Sequence, residues 1–317
     1  MDFYGTIGPA CAKPDILRQM VDAGMTGIRM NLSHGALSAH ADWLALIHEA
    51  GIRDLLIDLQ GPELRIGQLP QPVTLTTGGT VQLGRGSIPC PDALVQAAAP
   101  GQELLLDDGK LLVRVESAVP GCLQCTVLRG GVLQSRKSIA APGLEVPSPT
   151  LTAEDLQNLK LAKQCGVTGV MLPFVRGAAD LRTLRRALEE AGAGGIRIFA
   201  KIENMAGVRA LPELLPLADE IVIARGDLGN TMPLWELPRC QKQLSAVCRA
   251  AGVPFMVATQ MLDSMYSRAV PTRAEVSDIY NAVLDGASSV MLTGETAAGQ
   301  YPVQTMEYLV RTARTAL

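Results

Sequence analysis

Aromatic residues are scarce in this sequence of 317 residues, since Phe, Tyr and Trp together make up 3% of it. Aliphatic side chains must therefore form most of its core. Long apolar runs are also missing, because none approaches the roughly 18 residues that a transmembrane helix requires. The first residues show no run of positive charge followed by an apolar stretch, which excludes the pattern of a secretory signal. We therefore expect a cytoplasmic protein with no membrane partner.

An excess of basic residues is missing as well. The 28 Lys and Arg residues face 31 Asp and Glu residues, giving a formal net charge of -3 at pH 7, whereas nucleic-acid-binding proteins usually carry a basic surface. We therefore expect no nucleic-acid partner. The 7 cysteines are an odd number spread over core-like segments, which is typical of reduced thiols rather than a disulfide framework. Cys122 and Cys125 form a lone C-x-x-C, which we interpret as part of an ordinary strand.

Hydrophobic residues make up 48% of the sequence, enough for one large α/β domain or two domains. Short β-rich segments, each bounded by Gly, Pro or polar residues, alternate with amphipathic helical segments. The predicted strands are Phe3–Ile7, Thr26–Met30, Asp54–Asp58, Val167–Pro173, Ile196–Glu203, Glu220–Ala224, Pro254–Thr259 and Ser288–Thr293. This repeated alternation of strand and helix predicts the α/β class and a closed (β/α)8 TIM barrel.

Helix signals support the alternation, and one segment interrupts it. Pro14 opens a predicted helix that ends at Gly24, and Thr152 and Thr272 each stand where a helix cap is expected. From about residue 68 to 141 the helical period disappears, and short strands with Gly-rich turns follow one another. We therefore predict a small all-β domain inserted after the third barrel strand. The predicted division is 1–67 for the first part of the barrel, 68–141 for the inserted domain and 142–317 for the second part of the barrel.

Polar residues follow almost every predicted strand. In the stretch IRIFAKIENMAG, residues 196–207, the predicted strand ends with Lys201 and Glu203. Residues two positions apart in a strand point to the same face, so these two side chains would lie side by side. Barrel enzymes carry their active sites at the carboxyl ends of the strands, so these two residues would join a ring of polar groups there. The ring would contain Arg29, Asn31, Ser33, His34, Asp58, Gln60, Glu63, Arg65, Arg176, Lys201, Glu203, Arg225, Asp227, Thr259, Gln260, Thr293, Glu295 and Thr296.

The residue types in this ring suit phosphoryl transfer. Glu203 and Asp227, from neighbouring strands, can share one Mg²⁺ ion, which takes few carboxylates and keeps waters or substrate oxygens. Lys201 and Arg29 are positive charges suited to phosphate, and the segment Gly226–Gly229 offers backbone amides to an anion. Positioning and charge neutralisation supply most of the catalysis of phosphoryl transfer. The competing interpretation is a set of salt-bridged barrel ends without a ligand.

Several segments, in order along the chain, resemble the signature segments of the pyruvate kinase family. They are GTIGPAC, AGMTGIRMNLSHG, IDLQGPELRIG, AKIEN, ARGDLG, ATQMLDSM, PTRAEVSD and NAVLDGASSVMLTGETAAGQYP. The resemblance is strong throughout the barrel and weak in the inserted domain. It implies transfer of a phosphoryl group from phosphoenolpyruvate to ADP, giving pyruvate and ATP. This glycolytic reaction uses Mg²⁺ or Mn²⁺, and usually K⁺.

The resemblance also implies roles for individual residues. Lys201 matches the lysine that stabilises the transferring phosphoryl group, Arg29 matches a phosphate-binding arginine, and Thr259 matches the threonine near the methylene carbon of the enolate. Gly226 and Asp227 match the backbone amides that hold the substrate carboxylate. The implied metal ligands are Glu203 and Asp227 for Mg²⁺, and Asn31, Ser33, Asp58 and the carbonyl of Leu59 for K⁺. The implied nucleotide contacts are Arg65, His34 and Lys137.

The resemblance bears on the inserted domain and on assembly as well. The inserted domain matches the mobile lid of the family, which closes over the site and excludes water. Family members continue into a further C-terminal domain with an effector site, whereas this sequence ends at the last barrel helix. We therefore expect no regulation through that domain. We also expect a homodimer, paired through the seventh and eighth barrel units, rather than a tetramer.

Some positions depart from the family pattern. Thr231 stands where a glutamate is usual, Pro173 stands where a serine is usual, and QSRKSIAAPG differs on the nucleotide side. A glutamate at the position of Glu63 accompanies dependence on K⁺ in the family. Asp58 and Glu63 without a compensating lysine would leave negative charge beside a phosphate, which is costly in a partly desolvated site. We therefore predict activation by K⁺.

Two alternatives to a pyruvate kinase stay open. One is a Mg²⁺-dependent enzyme of the same superfamily that decarboxylates or cleaves a 2-oxo acid. The residues that match the family's enolate-binding groups are intact, whereas the segment that matches its nucleotide contacts has changed. The other is a non-catalytic binding paralogue, which the joint presence of the charged strand-end residues disfavours. Nucleotide binding separates the kinase from the first alternative. Exchange of the methyl protons of pyruvate separates both enzymes from the second.

Overall fold

Parallel strands close into a barrel in the computed structural model, which describes residues 1–144 and 146–317. The barrel strands, first to eighth, are Asp2–Thr6, Gly27–Asn31, Asp54–Asp58, Gly169–Leu172, Arg197–Ile202, Glu220–Ala224, Phe255–Ala258 and Ser289–Met291. Each pairs in parallel with its neighbours in chain order, and the eighth pairs with the first. The predicted α/β class and TIM barrel are confirmed. Each predicted strand overlaps its observed strand.

Helices connect the barrel strands. The α-helices outside the inserted segment are Pro14–Asp22, Ala41–Glu49, Ala153–Ala162, Ala178–Glu190, Met205–Leu214, Arg225–Gly229, Leu237–Ala251, Arg273–Leu284, Gly294–Ala297 and Pro302–Arg314. Short 3₁₀ helices lie at Leu32–His34, Leu37–His40, Leu234–Glu236 and Asp263–Tyr266. No helix in the described part of the chain is long and apolar enough to cross a membrane.

The predicted helix ends are present. Thr152 and Thr272 each accept the backbone N–H of the residue three positions on, and that residue's carboxylate accepts the N–H of the cap, so both form capping boxes. Gly24 follows the first helix with a φ of +112°, the left-handed conformation that ends many helices. These local signals fix where the helices begin and end, and therefore the length of the turns that carry the strand ends.

Side chains fill the barrel interior. A Cβ at Gly27 would lie 2.4 Å from Cε1 of Tyr4, and one at Gly169 would lie 2.6 Å from Cε2 of Phe199, so these glycines make room for the two rings. Because the interior is packed, the barrel is a scaffold and its sites lie at its ends. The buried interior residues are Tyr4, Leu56, Met171, Phe199, Val222, Ala224, Met256, Ala258 and Met291.

The chain divides into two compact units. The first unit, which contains the barrel, consists of Met1–Gly61, Thr150–Arg225 and Pro238–Leu317, and the second consists of Pro62–Pro149 and Gly226–Leu237. The segment predicted as the inserted domain, 68–141, lies inside the longer part of the second unit. Its action as a lid stays a prediction.

The second unit is mostly β-structure around its own apolar core. An antiparallel sheet has the strand order Ile139–Ala140, Glu103–Leu106, Leu111–Val119, Cys122–Arg129 and Thr80–Gly84, and Val73–Leu75 pairs with Gly131–Leu133. The unit also contains the helix Asp92–Ala97, which the strand-like pattern of this segment did not indicate. Cys122 and Cys125 lie in one strand, as predicted, and burial raises the pKa of the Cys125 thiol to about 12. Cys125 is therefore an unreactive core residue.

Candidate active site

Charged side chains from three barrel strands meet at the carboxyl end of the barrel. Arg29 donates to Oδ2 of Asp58 through Nη2 at 2.6 Å and through Nε at 3.0 Å. Nζ of Lys201 lies 3.1 Å from the same oxygen and 2.9 Å from Oε1 of Glu203. The charges therefore alternate in sign along a group that we call the charge cluster: Arg29, Asp58, Lys201 and Glu203.

Burial and mutual contact set the ionisation of the charge cluster. Side-chain exposure is 10% for Arg29, 3% for Asp58, 12% for Lys201 and 2% for Glu203. Burial alone would raise the pKa of Asp58, but the charges of Lys201 and Arg29 outweigh it and hold that pKa below its ordinary range. Burial alone would lower the pKa of Lys201, but Asp58 and Glu203 outweigh it and raise that pKa. Lys201 is therefore a fixed cation at neutral pH.

The turn after the fourth strand holds Glu203 in place. The backbone N–H of Phe174 donates to Oε2 of Glu203 at 2.8 Å, and Phe174 has a φ of +53°, which is unusual for a bulky residue. The side chain of the next residue, Asn204, accepts the N–H of Gly207 and so caps the following helix. A Cβ at Gly207 would lie 2.5 Å from the carbonyl oxygen of Val175. Glycine is therefore needed for this close approach.

Asp155 holds the turn after the third strand. Its buried carboxylate accepts the N–H of Gln60 at 2.9 Å and that of Gly61 at 3.1 Å. Gly61 has a φ of +57°, and a Cβ there would lie 2.5 Å from Cγ of Pro173. The sequence marks Asp155 only as part of a helix cap. Its contact with a turn far away in the chain has no sequence signal.

Thr259 and Gln260 follow the seventh strand in left-handed backbone conformations, with φ values of +72° and +53°. Each such residue costs about 1–3 kcal/mol, and the conformation persists only where surrounding contacts enforce it. Arg225 supplies such contacts, since its Nη2 donates to the carbonyl oxygen of Thr259 at 2.8 Å and to that of Gln260 at 3.3 Å. The predicted catalytic threonine therefore lies on a strained turn that a side chain from the sixth strand end supports.

The residues predicted to bind K⁺ lie near one another in the barrel. Asn31 and Asp58 are register partners on the second and third strands. Oδ1 of Asn31 accepts the N–H of Ser33 at 3.1 Å. Leu59 follows the third strand, and its N–H donates to the carbonyl oxygen of Met171 at 3.1 Å. Binding of K⁺ by these groups stays a prediction.

The prediction that Asp58 and Glu63 lie without compensating positive charge is wrong. Asp58 accepts hydrogen bonds from both Arg29 and Lys201, and Glu63 in the second unit lies 2.7 Å from Nη2 of Arg65. Glu63 is a glutamate at a position where a lysine can also stand. Arg65, two positions further along the chain, is an ion-pair partner of this glutamate.

The predicted nucleotide contacts fall in different parts of the chain. Arg65 lies in the second unit, where its Nη1 also donates to the carbonyl oxygen of Arg136 at 2.7 Å. Lys137, in the same unit, lies 2.9 Å from Oδ1 of Asp107. His34 ends the 3₁₀ helix after the second barrel strand, in the first unit. The assignment of these residues to a nucleotide stays a prediction.

Gly226 and Asp227 follow the sixth strand, in the short helix Arg225–Gly229. The carbonyl oxygen of Asp227 accepts the N–H of Asn230 at 3.0 Å. At Thr231, where the family pattern has a glutamate, the hydroxyl donates to the carbonyl oxygen of Leu228 at 2.8 Å. Thr231 therefore closes the turn locally. Sharing of Mg²⁺ between Glu203 and Asp227 stays a prediction.

A closed parallel barrel with a buried cluster of two cations and two carboxylates at its carboxyl end defines a class of protein, the TIM barrels that gather charged side chains at the ends of their strands. The family model for the barrel domain of pyruvate kinase matches residues 2–306. The chain therefore belongs to the pyruvate kinase family, and the predicted family resemblance is confirmed.

Relatives from three bacteria show the same relationship. The chain is 40% identical to a pyruvate kinase of Agrobacterium vitis over 322 residues, 37% identical to one of Chlamydia pneumoniae over 318, and 39% identical to one of Geobacillus stearothermophilus over 325. These alignments cover 96%, 96% and 95% of this chain, but 66%, 66% and 54% of the relatives. The chain thus spans between about half and two thirds of the length of these curated relatives.

We expect Asp58→Asn to lower the free energy of unfolding by roughly 3–5 kcal/mol at pH 7, because it leaves two buried cations without their shared carboxylate. Glu307→Gln is the matched control, since Glu307 pairs with Arg311 on an exposed helix surface and such a pair contributes about 0.5 kcal/mol or less. Urea unfolding followed by circular dichroism measures both changes. Equal effects of the two substitutions would contradict the proposed importance of the charge cluster.

Proposed function

We propose that this chain carries the pyruvate kinase reaction, transfer of a phosphoryl group from phosphoenolpyruvate to ADP. The observation that supports this best is the charge cluster, in which Lys201 is a fixed cation beside a second cation, Arg29. The names of the relatives and the match to the barrel-domain model support the same reaction. The substrates are therefore phosphoenolpyruvate and ADP, and the products are pyruvate and ATP.

In the proposed reaction, Arg29 and Lys201 hold the phosphoryl group through charge-assisted hydrogen bonds as it passes from the enol oxygen of phosphoenolpyruvate to the terminal phosphate of ADP. An ammonium has three donors. Nζ of Lys201 lies 3.2 and 3.1 Å from the two carboxylate oxygens of Asp58 and 2.9 Å from Oε1 of Glu203, so one donor must turn away from one of these oxygens to reach a phosphoryl oxygen. The enolate then takes a proton at its methylene carbon and becomes pyruvate, and Thr259 is proposed to position that proton.

The residues of this chain also fit a divalent cation. An ionised carboxylate offers about four acceptor positions, and the contacts of Glu203 with Lys201 and Phe174 leave some of them available. No group of three or more His, Cys, Asp or Glu side chains in the described part of the chain is arranged to hold a metal ion. Mg²⁺, which keeps waters and substrate oxygens as ligands, needs no such group. When bound, it would supply further neutralisation of phosphoryl charge.

We expect Glu203→Gln and Asp227→Asn each to lower kcat/KM by about two to four orders of magnitude, because a metal ion contributes several kcal/mol of charge stabilisation. Coupled assays of pyruvate formation at several Mg²⁺ concentrations measure this, with Glu307→Gln as control. Unchanged rates and an unchanged Mg²⁺ requirement in both variants would refute the metal assignment. A wild-type chain that exchanges pyruvate methyl protons but makes no pyruvate from phosphoenolpyruvate and ADP would instead support other chemistry on a 2-oxo acid.

We also propose activation by K⁺, on the resemblance at Asn31, Ser33, Asp58 and Leu59 and on the glutamate at position 63. The expected result is a faster initial rate when KCl is added to tetramethylammonium buffer at constant ionic strength. Glu63→Lys should reduce the requirement, because an ammonium group replaces the charge of the ion. Glu63→Gln, which removes the carboxylate without adding an ammonium, should keep it. Equal rates with and without KCl in the wild-type chain would reject the proposal.

We further propose a homodimer formed through the seventh and eighth barrel units. Large apolar side chains are exposed between those strands: Tyr266 at 47%, Val270 at 60%, Tyr280 at 39% and Leu284 at 54%. Exposed apolar groups concentrated in one region are typical of protein interfaces. At micromolar concentration, sedimentation velocity should give twice the chain mass of 33.6 kDa for the wild type and for Val119→Asp, and a monomer for Val270→Asp. A monomeric wild type would contradict the dimer.

A further inference from the structure

We infer that Arg225 and Asp278 are positioning residues that hold Thr259 and Gln260 in the strained conformation of the turn after the seventh strand. The role of this turn in catalysis rests on the proposed function, in which Thr259 positions the proton for the enolate. The contacts that define the turn do not depend on that function. They can therefore be tested separately from it.

The guanidinium of Arg225 fixes the carbonyl groups of the strained turn. Arg225 is 8% exposed. Its Nε and Nη2 lie 3.3 and 2.8 Å from the carbonyl oxygen of Thr259, and Nη2 also lies 3.3 Å from that of Gln260 and 2.9 Å from Sδ of Met261. A planar guanidinium presents its donors in a fixed fork. Two successive carbonyl groups that accept hydrogen bonds from one guanidinium cannot rotate independently. These contacts therefore keep Thr259 and Gln260 at their left-handed φ values.

Asp278 orients Arg225 from the opposite side. Its Oδ2 lies 2.6 Å from Nη1 of Arg225, and Oε1 of Gln241 lies 3.5 Å from the same nitrogen. The helix that carries Asp278 is itself held in place, because Glu275 on that helix accepts the N–H of Ser264 at 2.7 Å. The carboxylate of Asp278 therefore neutralises the buried guanidinium of Arg225 and directs the remaining donors of that guanidinium at the turn.

The far end of the turn is held independently. Oε1 of Glu295 accepts the N–H of Leu262 at 3.3 Å, and Oε2 accepts the N–H of Thr293 at 2.7 Å. Glu295 is 2% exposed, and it makes no part of the contact with Arg225 described above. Loss of the Arg225 contacts should therefore relax residues 259–261 without releasing the whole turn. This confines the expected effect to the residue that acts on the enolate.

The kinetic test uses Arg225→Lys and Asp278→Asn. Each should lower kcat, and the Mg²⁺-dependent exchange of pyruvate methyl protons for deuterium, by about 10- to 100-fold, the usual effect of a small misplacement. KM for phosphoenolpyruvate should stay within about threefold, since Arg29 and Lys201 are untouched.

The double variant shows whether Arg225 acts through Thr259. Thr259→Ala combined with Arg225→Lys should lower kcat no further than Thr259→Ala alone does. Lys242→Gln, which breaks an exposed ion pair with Asp285, should leave activity unchanged.

If the double variant instead showed the product of the two single-variant reductions in kcat, Arg225 would act elsewhere, and the inference would be overturned. A rise in KM alone would overturn it as well, because a mispositioned proton-delivering residue should affect the chemical step rather than binding.

A second test needs no activity. Gln260→Gly should raise the urea midpoint of the wild-type chain, because glycine adopts a φ of +53° without strain. In the Arg225→Lys or Asp278→Asn background, where the turn relaxes, the same change should lower the midpoint through the added freedom of the unfolded chain. An equal gain in all three backgrounds would overturn the inference. Reversal of the effect in a chain without kinase activity would support the positioning contacts while refuting the proposed function.

Discussion

A buried charge must be neutralised where it lies, and this constraint organises the carboxyl end of the barrel. Asp58 is the centre of the arrangement, because Arg29 and Lys201 both donate to its Oδ2. Desolvating an unpaired carboxylate would cost several kcal/mol, so the three groups must come into contact as the barrel closes. The strand order brings them together, since only the fourth strand separates the third from the fifth. Closure of the barrel therefore brings the members of the charge cluster into contact.

The same principle extends from charges to the turns around them. Several strand-end turns are held by a side chain from another part of the barrel rather than by their own residues. The pairs are Asp155 with Gln60 and Gly61, Glu203 with Phe174, Arg225 with Thr259 and Gln260, and Glu295 with Leu262. Three of the turn residues, Phe174, Thr259 and Gln260, have left-handed φ values without being glycine. Such strain persists only where other contacts enforce it, and charged side chains at the barrel end supply them.

Local and periodic features of the chain could be predicted from the sequence. The strands, the capping boxes at Thr152 and Thr272, and the charged residues at the strand ends all depend on short-range patterns. The pairing of those charges could not be predicted, because it depends on register across the closed barrel. Asp58 was expected to bind a cation, and the structure adds two side-chain cations that contact it. The amide of Phe174 as a partner of Glu203 had no signal either, since a backbone N–H is present at almost every residue.

The pairing of these charges also bears on which ions the site needs. Two positive and two negative side chains give the charge cluster no net charge. Arg29 and Lys201 are therefore largely balanced by Asp58 and Glu203 before any ligand binds. A phosphoryl group would bring negative charge that this balance does not cover, and in a desolvated site such an excess is costly. Under the proposed reaction, additional positive charge would then have to arrive with the ligand. This is a stronger physical reason to expect bound cations than an unpaired carboxylate, because it follows from the pairing itself.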